Sequence, residues 1–241
     1  MTPFLAQLRA ELRLVARNPE QLLLTLGIPV LLLVFFSLVD VLPTGTGPAV
    51  DFLAPGIVAL AVMSTAMVSL GIGTGFERGY AVLKRLGATP LGRGRWLAAK
   101  IGAIVVVELV QLAVLVPVAF ALGWDPSAPR WLLAIASVVA GTTAFAGLGL
   151  LLAGRLRAEV NLAVQNALFV VLLLLGGMVI PFDELPGPIA AVARVLPSGA
   201  LADLLREALA AAGDKPSLSA AVLAAWSVAT PLAAARWFRW S

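Results

Sequence analysis

The sequence predicts an all-α integral membrane protein with six transmembrane helices, and three observations lead there. Hydrophobic residues make up 61% of the 241 positions and charged residues 12%, whereas soluble domains carry about 45–50% apolar and about 25% charged residues. Apolar runs recur at the length of about 20 residues that a helix needs to cross roughly 30 Å of hydrocarbon. Basic residues gather in alternate connections, as they do when orientation is set during insertion. The mean hydropathy of +1.00 agrees with this, and the pI near 10.3 follows from the placement of those basic residues, so no nucleic-acid partner is expected. Cysteine and histidine are both absent. Disulfides, thiolate nucleophiles, Cys/His zinc sites and imidazole bases are therefore unavailable.

The first element is a helix over residues 3–18. Phe4, Leu5, Leu8, Leu12 and Val15 recur at helical spacing, with Gln7, Arg9, Arg13 and Arg17 on other faces, which describes a helix lying in the membrane interface until Pro19 ends it. The first span is expected over residues 21–42. It follows a charged amphipathic segment and lacks a small-residue cleavage site, so it does not read as a signal peptide. The second span is expected over residues 52–76. Residues 77–95 then connect it to the third, with Tyr80, Val82, Leu83 and Leu86 forming a short amphipathic helix before the breaker run Gly87-Ala88-Thr89-Pro90. A loop that only sets orientation is the alternative for this segment. The third, fourth and fifth spans are expected over residues 96–122, 131–153 and 160–180. Residues 181–216 are too long for a simple loop and divide into two apolar pieces around Leu196-Pro197-Ser198-Gly199, each too short to cross, as in a re-entrant or interfacial hairpin. The second piece carries Asp203, Arg206 and Glu207 on a shared face, and an ordinary surface helix is the alternative. The sixth span is expected over residues 218–238.

Charge placement gives the expected orientation. Arg9, Arg13 and Arg17 precede the first span; Arg78, Lys84, Arg85, Arg93, Arg95 and Lys100 surround the second connection; Arg155, Arg157, Arg236 and Arg239 fall on the same side. The other side holds Arg130, Arg194, Arg206 and Lys215 together with most of the acids. Both termini are expected to be cytoplasmic. Trp96, Trp237 and Trp240 would anchor the inner interface, and Trp124 and Trp131 the outer one. Fourteen arginines against three lysines, with heavy use of Ala, Gly and Leu, suit a GC-rich bacterial genome, and the expected location is a bacterial plasma membrane.

Polar residues inside the spans are the candidate sites. Glu108 lies near the middle of the third span, where an ionised carboxylate costs about 2.5–3.5 kcal/mol, and Gln111 shares its face. The pair could bond to each other, line a polar path or join helices. Asn161, Gln165 and Asn166 form a second cluster at the start of the fifth span, most simply read as interhelical bonding. Gly71, Gly73, Gly75, Gly147 and Gly149 would allow close helix approach. Gly92-Arg93-Gly94-Arg95 lacks the spacing and the terminal Lys-Ser/Thr of a phosphate-binding loop, and no metal-ligand or nucleophile motif occurs, so no catalytic residue and no cofactor are assigned to this chain. An energised process would need a partner.

Phe76 to Leu91, with Glu77, Gly79, Leu83-Lys84 and Thr89-Pro90-Leu91, resembles the signature that permeases of ABC-2 type transporters carry between spans two and three. Gly176-Gly177-Met178-Val179-Ile180-Pro181, running on through Glu184-Leu185-Pro186 to Leu196-Pro197, resembles that family's fifth-span exit and its extracellular re-entrant helices, and Asp203-Leu204-Leu205-Arg206 is similar to the helix before its last span. The sequence departs from the family pattern where Arg78 and Tyr80 follow Glu77. The resemblance, which covers nearly the whole chain, implies a permease that hydrolyses nothing itself and pairs with two copies of a cytoplasmic ATP-binding subunit, which holds ATP and Mg2+. It implies a second permease, identical or homologous, and contact with membrane lipids. Residues 3–18 would be the connecting helix, and Glu77, Arg78, Tyr80, Leu83, Lys84, Arg85 and Leu86 the coupling segment. Met63, Met67, Asn166 and Phe169 are candidates for the translocation path of a small hydrophobic or amphipathic compound, with drug efflux favoured. Lipid or polysaccharide export, or a non-transporting anchor or assembly role, are the alternatives.

Overall fold

The computed structural model describes residues 2–39, 47–87, 89–126, 129–209 and 218–240, and those residues are helical with no strands. The helices are α1 (Pro3–Ala16), α2 (Pro19–Leu22), α3 (Ile28–Leu38), α4 (Ala49–Met63), α5 (Leu70–Gly79), α6 (Val82–Gly87), α7 (Gly92–Ala121), α8 (Trp131–Ala153), α9 (Ala158–Leu175), α10 (Gly187–Val195), α11 (Pro197–Leu209) and α12 (Leu218–Trp237). Five helices among the described residues are long and apolar enough to cross a membrane: Ala49–Gly79, Gly92–Ala121, Trp131–Ala153, Ala158–Leu175 and Leu218–Trp237. The chain is a multi-pass membrane protein.

The first apolar run, expected to span over residues 21–42, is continuously helical from Pro19 to Leu38 among the described residues. Its apolar part, Leu23–Leu38, opens on a π-helical stretch, Leu23–Gly27. The cause is Pro29. It has no N–H to donate four residues back and its ring crowds that carbonyl, so the carbonyl of Thr25 is released from the helix ladder. Gln111 Nε2 takes it up at 2.7 Å. The end of the run, residues 40–42, lies outside the described residues.

The second crossing is one continuous helix in which α4 and α5 are joined by a second π-helical stretch, Ser64–Ser69. It forms the centre of the molecule: α3, α7, α8 and α11 all pack on α4. Leu53, Ile57, Leu60, Met63 and Met67 are fully buried there. α12 packs along α8, which is possible because Gly147 has no side chain. A Cβ at that position would lie 2.5 Å from the Pro231 nitrogen.

Within residues 181–216, where a re-entrant or interfacial hairpin is expected, the described part forms two helices, α10 and α11, bent by 82° at Leu196. α11 is buried along most of its length rather than lying on a surface. Arg206, expected to share a face with Asp203 and Glu207, reaches into the bundle. Its Nη2 donates to the carbonyls of Gly177 (2.5 Å) and Met178 (3.2 Å), its Nε donates to Phe52 (3.3 Å), and the guanidinium lies 3.7 Å from the Phe52 ring centroid. A buried cation needs that many acceptors to replace its water. Asp203 accepts from Ser219 at 2.8 Å, tying α11 to α12. Residues 210–217, including Asp214 and Lys215, lie outside the described residues.

Candidate functional site

At the end of the bundle where α5, α7 and the chain terminus meet, the basic connection of the sequence takes its shape. α5 continues past the expected span end at residue 76 to Gly79, so Glu77 and Arg78 belong to the end of the spanning helix. The chain then turns at Ala81, whose φ of +58° lies in the left-handed region, and α6 follows. Leu83 buries itself with Leu91 and Trp96, while Lys84 and Arg85 stay exposed. Tyr80 stacks on Phe76 at 6.0 Å between centroids and accepts from Arg85 Nη2 through its carbonyl at 3.0 Å. Leu86 accepts from Thr89 Oγ1 at 2.6 Å, which closes the turn after α6; Ala88 lies outside the described residues. α6 is thus a short helix with one buried anchor and an exposed cationic edge.

Two sets of bonds fix the end of α5, from which α6 follows, to the bundle. Arg78 donates to the carbonyls of Gly154 (3.1 Å) and Leu156, joining α5 to the connection between α8 and α9. Lys100 on α7 donates to Glu77 at 2.6 Å and to Glu11 on α1 at 3.0 Å. Lys100 is 6% exposed. One buried cation therefore holds the N-terminal helix, the end of the second crossing and the third crossing together. Glu77 pairs with neither Arg78 nor Lys84. Lys100 belongs to the helix and not to the connection in which its charge was counted, and a lysine inside a predicted span was the available signal, since such a charge must find a partner.

Of the readings open for Glu108 and Gln111, the bond between the two is not the one formed: they face different neighbours and each bonds to another helical stretch. Glu108 Oε2 accepts from Thr142 Oγ1 on α8 at 2.8 Å. Gln111 accepts from Thr65 Oγ1 at 3.0 Å and donates to Thr25, so that one amide bridges both π-helical stretches. Thr25, Thr65 and Thr142 were not singled out in the sequence. Asn161 and Gln165 bond helices together: Asn161 Nδ2 donates to the Gly71 carbonyl at 2.9 Å, and Gln165 Nε2 donates to the Gly149 carbonyl at 3.0 Å. Asn166 does not join them and is exposed.

Two hollows flank the π-helical stretches. A polar cavity of about 480 Å³ lies over Glu11, Glu77, Lys100, Thr25 and Thr65. A more apolar groove of about 560 Å³ runs between Ile28, Ser64, Val68, Leu162, Asn166 and Phe169. Thr25, Ser69 and Gly73 border both, so the two are neighbours along one face of the second crossing. Asn166 and Phe169 line the groove; Met63 and Met67 do not. Both methionines are fully buried in the core, because the register of the second crossing turns Ser64 and Val68 toward the groove instead.

Comparison with known proteins places this architecture. The family model of the ABC-2 type transporter matches residues 2–210. The protein named "Putative transport permease YvfS" from Bacillus subtilis (strain 168) is 27% identical over 195 residues, covering 78% of each chain. With a family match spanning all but the last helix and a bundle of apolar crossing helices beneath it, the chain belongs to the ABC-2 type transporter family.

Proposed function

We propose that this chain is the permease subunit of an ATP-driven exporter and that α6 is the segment through which a cytoplasmic ATP-binding subunit moves it. The observation that carries this reading is the shape of α6: a short helix anchored by Leu83, with Lys84 and Arg85 exposed, and joined through Glu77, Arg78 and Lys100 to three other parts of the bundle. A push on α6 reaches the second crossing directly, since only Tyr80 and Ala81 separate it from α5. Exposed cations also steer a docking partner that presents acidic residues. ATP and Mg2+ belong to that partner, two copies of which serve two permeases.

The groove beside α9 supports a path for small hydrophobic or amphipathic compounds, with drug efflux the favoured case. Its walls mix Ile28, Val68, Leu162 and Phe169 with the hydroxyl of Ser64 and the amide of Asn166, a combination that suits cargo with an apolar body and a few polar groups. A second permease, set against this face, would complete the path. Both termini, α1 and α6 are cytoplasmic in this reading, in the plasma membrane of a bacterium.

The test is charge reversal on the lever. In vesicles holding the permease with its ATP-binding subunit, Lys84→Glu combined with Arg85→Glu is expected to lower ATP-driven export at least tenfold while leaving the helical content and yield of the permease unchanged. Wild-type export by the doubly reversed protein would refute the assignment of α6.

A further inference from the structure

A third hollow shares no lining residue with the groove beside α9. It is an apolar cleft of about 190 Å³ between α7, α8 and α12, with Leu97, Ala146, Leu150, Pro231 and Ala235 among its walls and Trp96, Phe238 and Trp240 at one end. It exists because the residues that face it on α8 and α12 are small: Ala146, Ala234 and Ala235 leave room that larger side chains would fill. Two threonines line it, yet neither offers the cleft an unpaired hydroxyl. Thr142 Oγ1 donates to Glu108 and Thr143 Oγ1 donates to the Val139 carbonyl at 2.7 Å. The cleft therefore presents a hydrocarbon surface despite its composition.

Its dimensions and its ends are not those of a packing defect. From Thr142 to Leu150 the helix rises about 12 Å, close to the thickness of one leaflet, about 15 Å. The mouth is charged. Arg93 lies 4.9 Å from the ring centroid of Trp240, exposed on its other side, and Arg236 and Arg239 are exposed on the segment that leads to Trp240. Trp96, 3% exposed, contributes an indole N–H with no hydrogen-bond partner among the described residues. No acidic side chain borders the cleft or its mouth among the residues that line them, which are otherwise apolar, small or basic.

We propose that this cleft is a binding site for one anionic phospholipid of the leaflet at the basic end, with an acyl chain lying between α7, α8 and α12 and the phosphate held at Arg93 above Trp240. An apolar slot one leaflet deep accommodates a lipid tail; the guanidinium stacked on an indole remains free to form paired hydrogen bonds to a phosphate. Basic pockets between spanning helices hold anionic headgroups by the same chemistry. The site is separate from the groove assigned to cargo, and its mouth is bordered by Leu83, Leu86 and Gly87 of α6.

The experiment is lipid retention in native mass spectrometry of the full chain in detergent, after exposure to an equimolar mixture of phosphatidylglycerol and phosphatidylcholine. The wild type is expected to keep one phosphatidylglycerol per chain at a detergent level that strips phosphatidylcholine. Arg93→Gln should lower that retention about tenfold, and Ala146→Phe or Ala235→Phe, which fill the slot from opposite walls, should abolish it. Arg157→Gln, a cation at the same end but beside α9, should leave it unchanged. Equal retention of the two lipids by the wild type overturns the proposal, as does equal retention by the wild type and Arg93→Gln. Full retention by both slot-filling variants overturns it too, because the headgroup would then bind without a chain in the cleft. Circular dichroism on each variant separates loss of lipid from loss of fold.

Discussion

Lys100 carries more of the basic end than any other single side chain. Its ammonium is shared by Glu11 and Glu77, with side-chain exposures of 6%, 10% and 21% across the three. Two carboxylates and one cation out of water are stable only as a set, since removing the cation leaves both acids desolvated and beside each other. Lys100→Met should therefore cost about 3–5 kcal/mol, the range for breaking a buried ion pair. The check is the unfolding midpoint in detergent. The triple change Lys100→Met, Glu11→Gln and Glu77→Gln should recover most of the loss, because neutral amides can bond each other without a counter-ion. If the triple variant were no more stable than Lys100→Met, the loss would come from packing of the lysine stem and not from charge. Lys100 was visible in the sequence as a charge, but its partners lie 89 and 23 residues away, which spacing rules within one helix cannot reach.

At the scale of elements, α9 shows how glycines and amides act as a unit. Its burial is slight, so side-chain packing alone holds it weakly. Asn161 and Gln165 instead reach the backbones of α5 and α8, and they can do so only because Gly71 and Gly75 leave room. A Cβ at Gly71 would sit 2.0 Å from Gln165 Nε2, and one at Gly75 would sit 2.4 Å from Asn161 Nδ2. Gly73, between them, has open space where its Cβ would be. This gives an internal control within one helix. Gly71→Ala should displace the Gln165 amide and lose about 1–3 kcal/mol for buried polar groups left unpaired. Gly73→Ala should be neutral or stabilise by up to about 1 kcal/mol, since alanine is the better helix former. Thermal unfolding of the two variants side by side measures both effects. Equal losses would mean that backbone flexibility at the glycines, and not the amide contacts, is what matters. The glycines and the two amides were legible in the sequence as separate features; that they meet was not, because it depends on how α9 is rotated against α5.

For the whole molecule, hydropathy made the crossings from the second to the sixth readable, since each must bury about 20 apolar residues in lipid whatever it packs against. What escaped the sequence was decided by neighbours. Pro29 was legible as a residue, but its effect, a released Thr25 carbonyl taken by Gln111, required knowing that α7 lies alongside. Glu108 and Gln111 share a face of α7, yet that face spans two neighbours, α8 on one side and the π-helical stretches on the other. Arg206 was legible as one charge on a shared face of its helix, but its acceptors, the carbonyls of Phe52, Gly177 and Met178, lie on other parts of the chain. The same limit applies to the dimer, where the apolar surface around the groove names a candidate face. Ile28 is 45% exposed, Leu31 63% and Phe35 48%, all on the first apolar helix, and Ile28 lines the groove together with Phe169. A second permease covering this face would bring Ile28 of one copy toward α9 of the other. The chain contains no cysteine, so introduced thiols report without background. Membranes holding both Ile28→Cys and Phe169→Cys chains, treated with a short bis-maleimide, should yield linked dimers carrying one of each. Val228→Cys, more exposed than Ile28 at 60% and placed on α12, should not link to Phe169→Cys. The reverse pattern would put the second permease on α12, leave the groove beside α9 open to lipid, and remove the reason for assigning cargo to it.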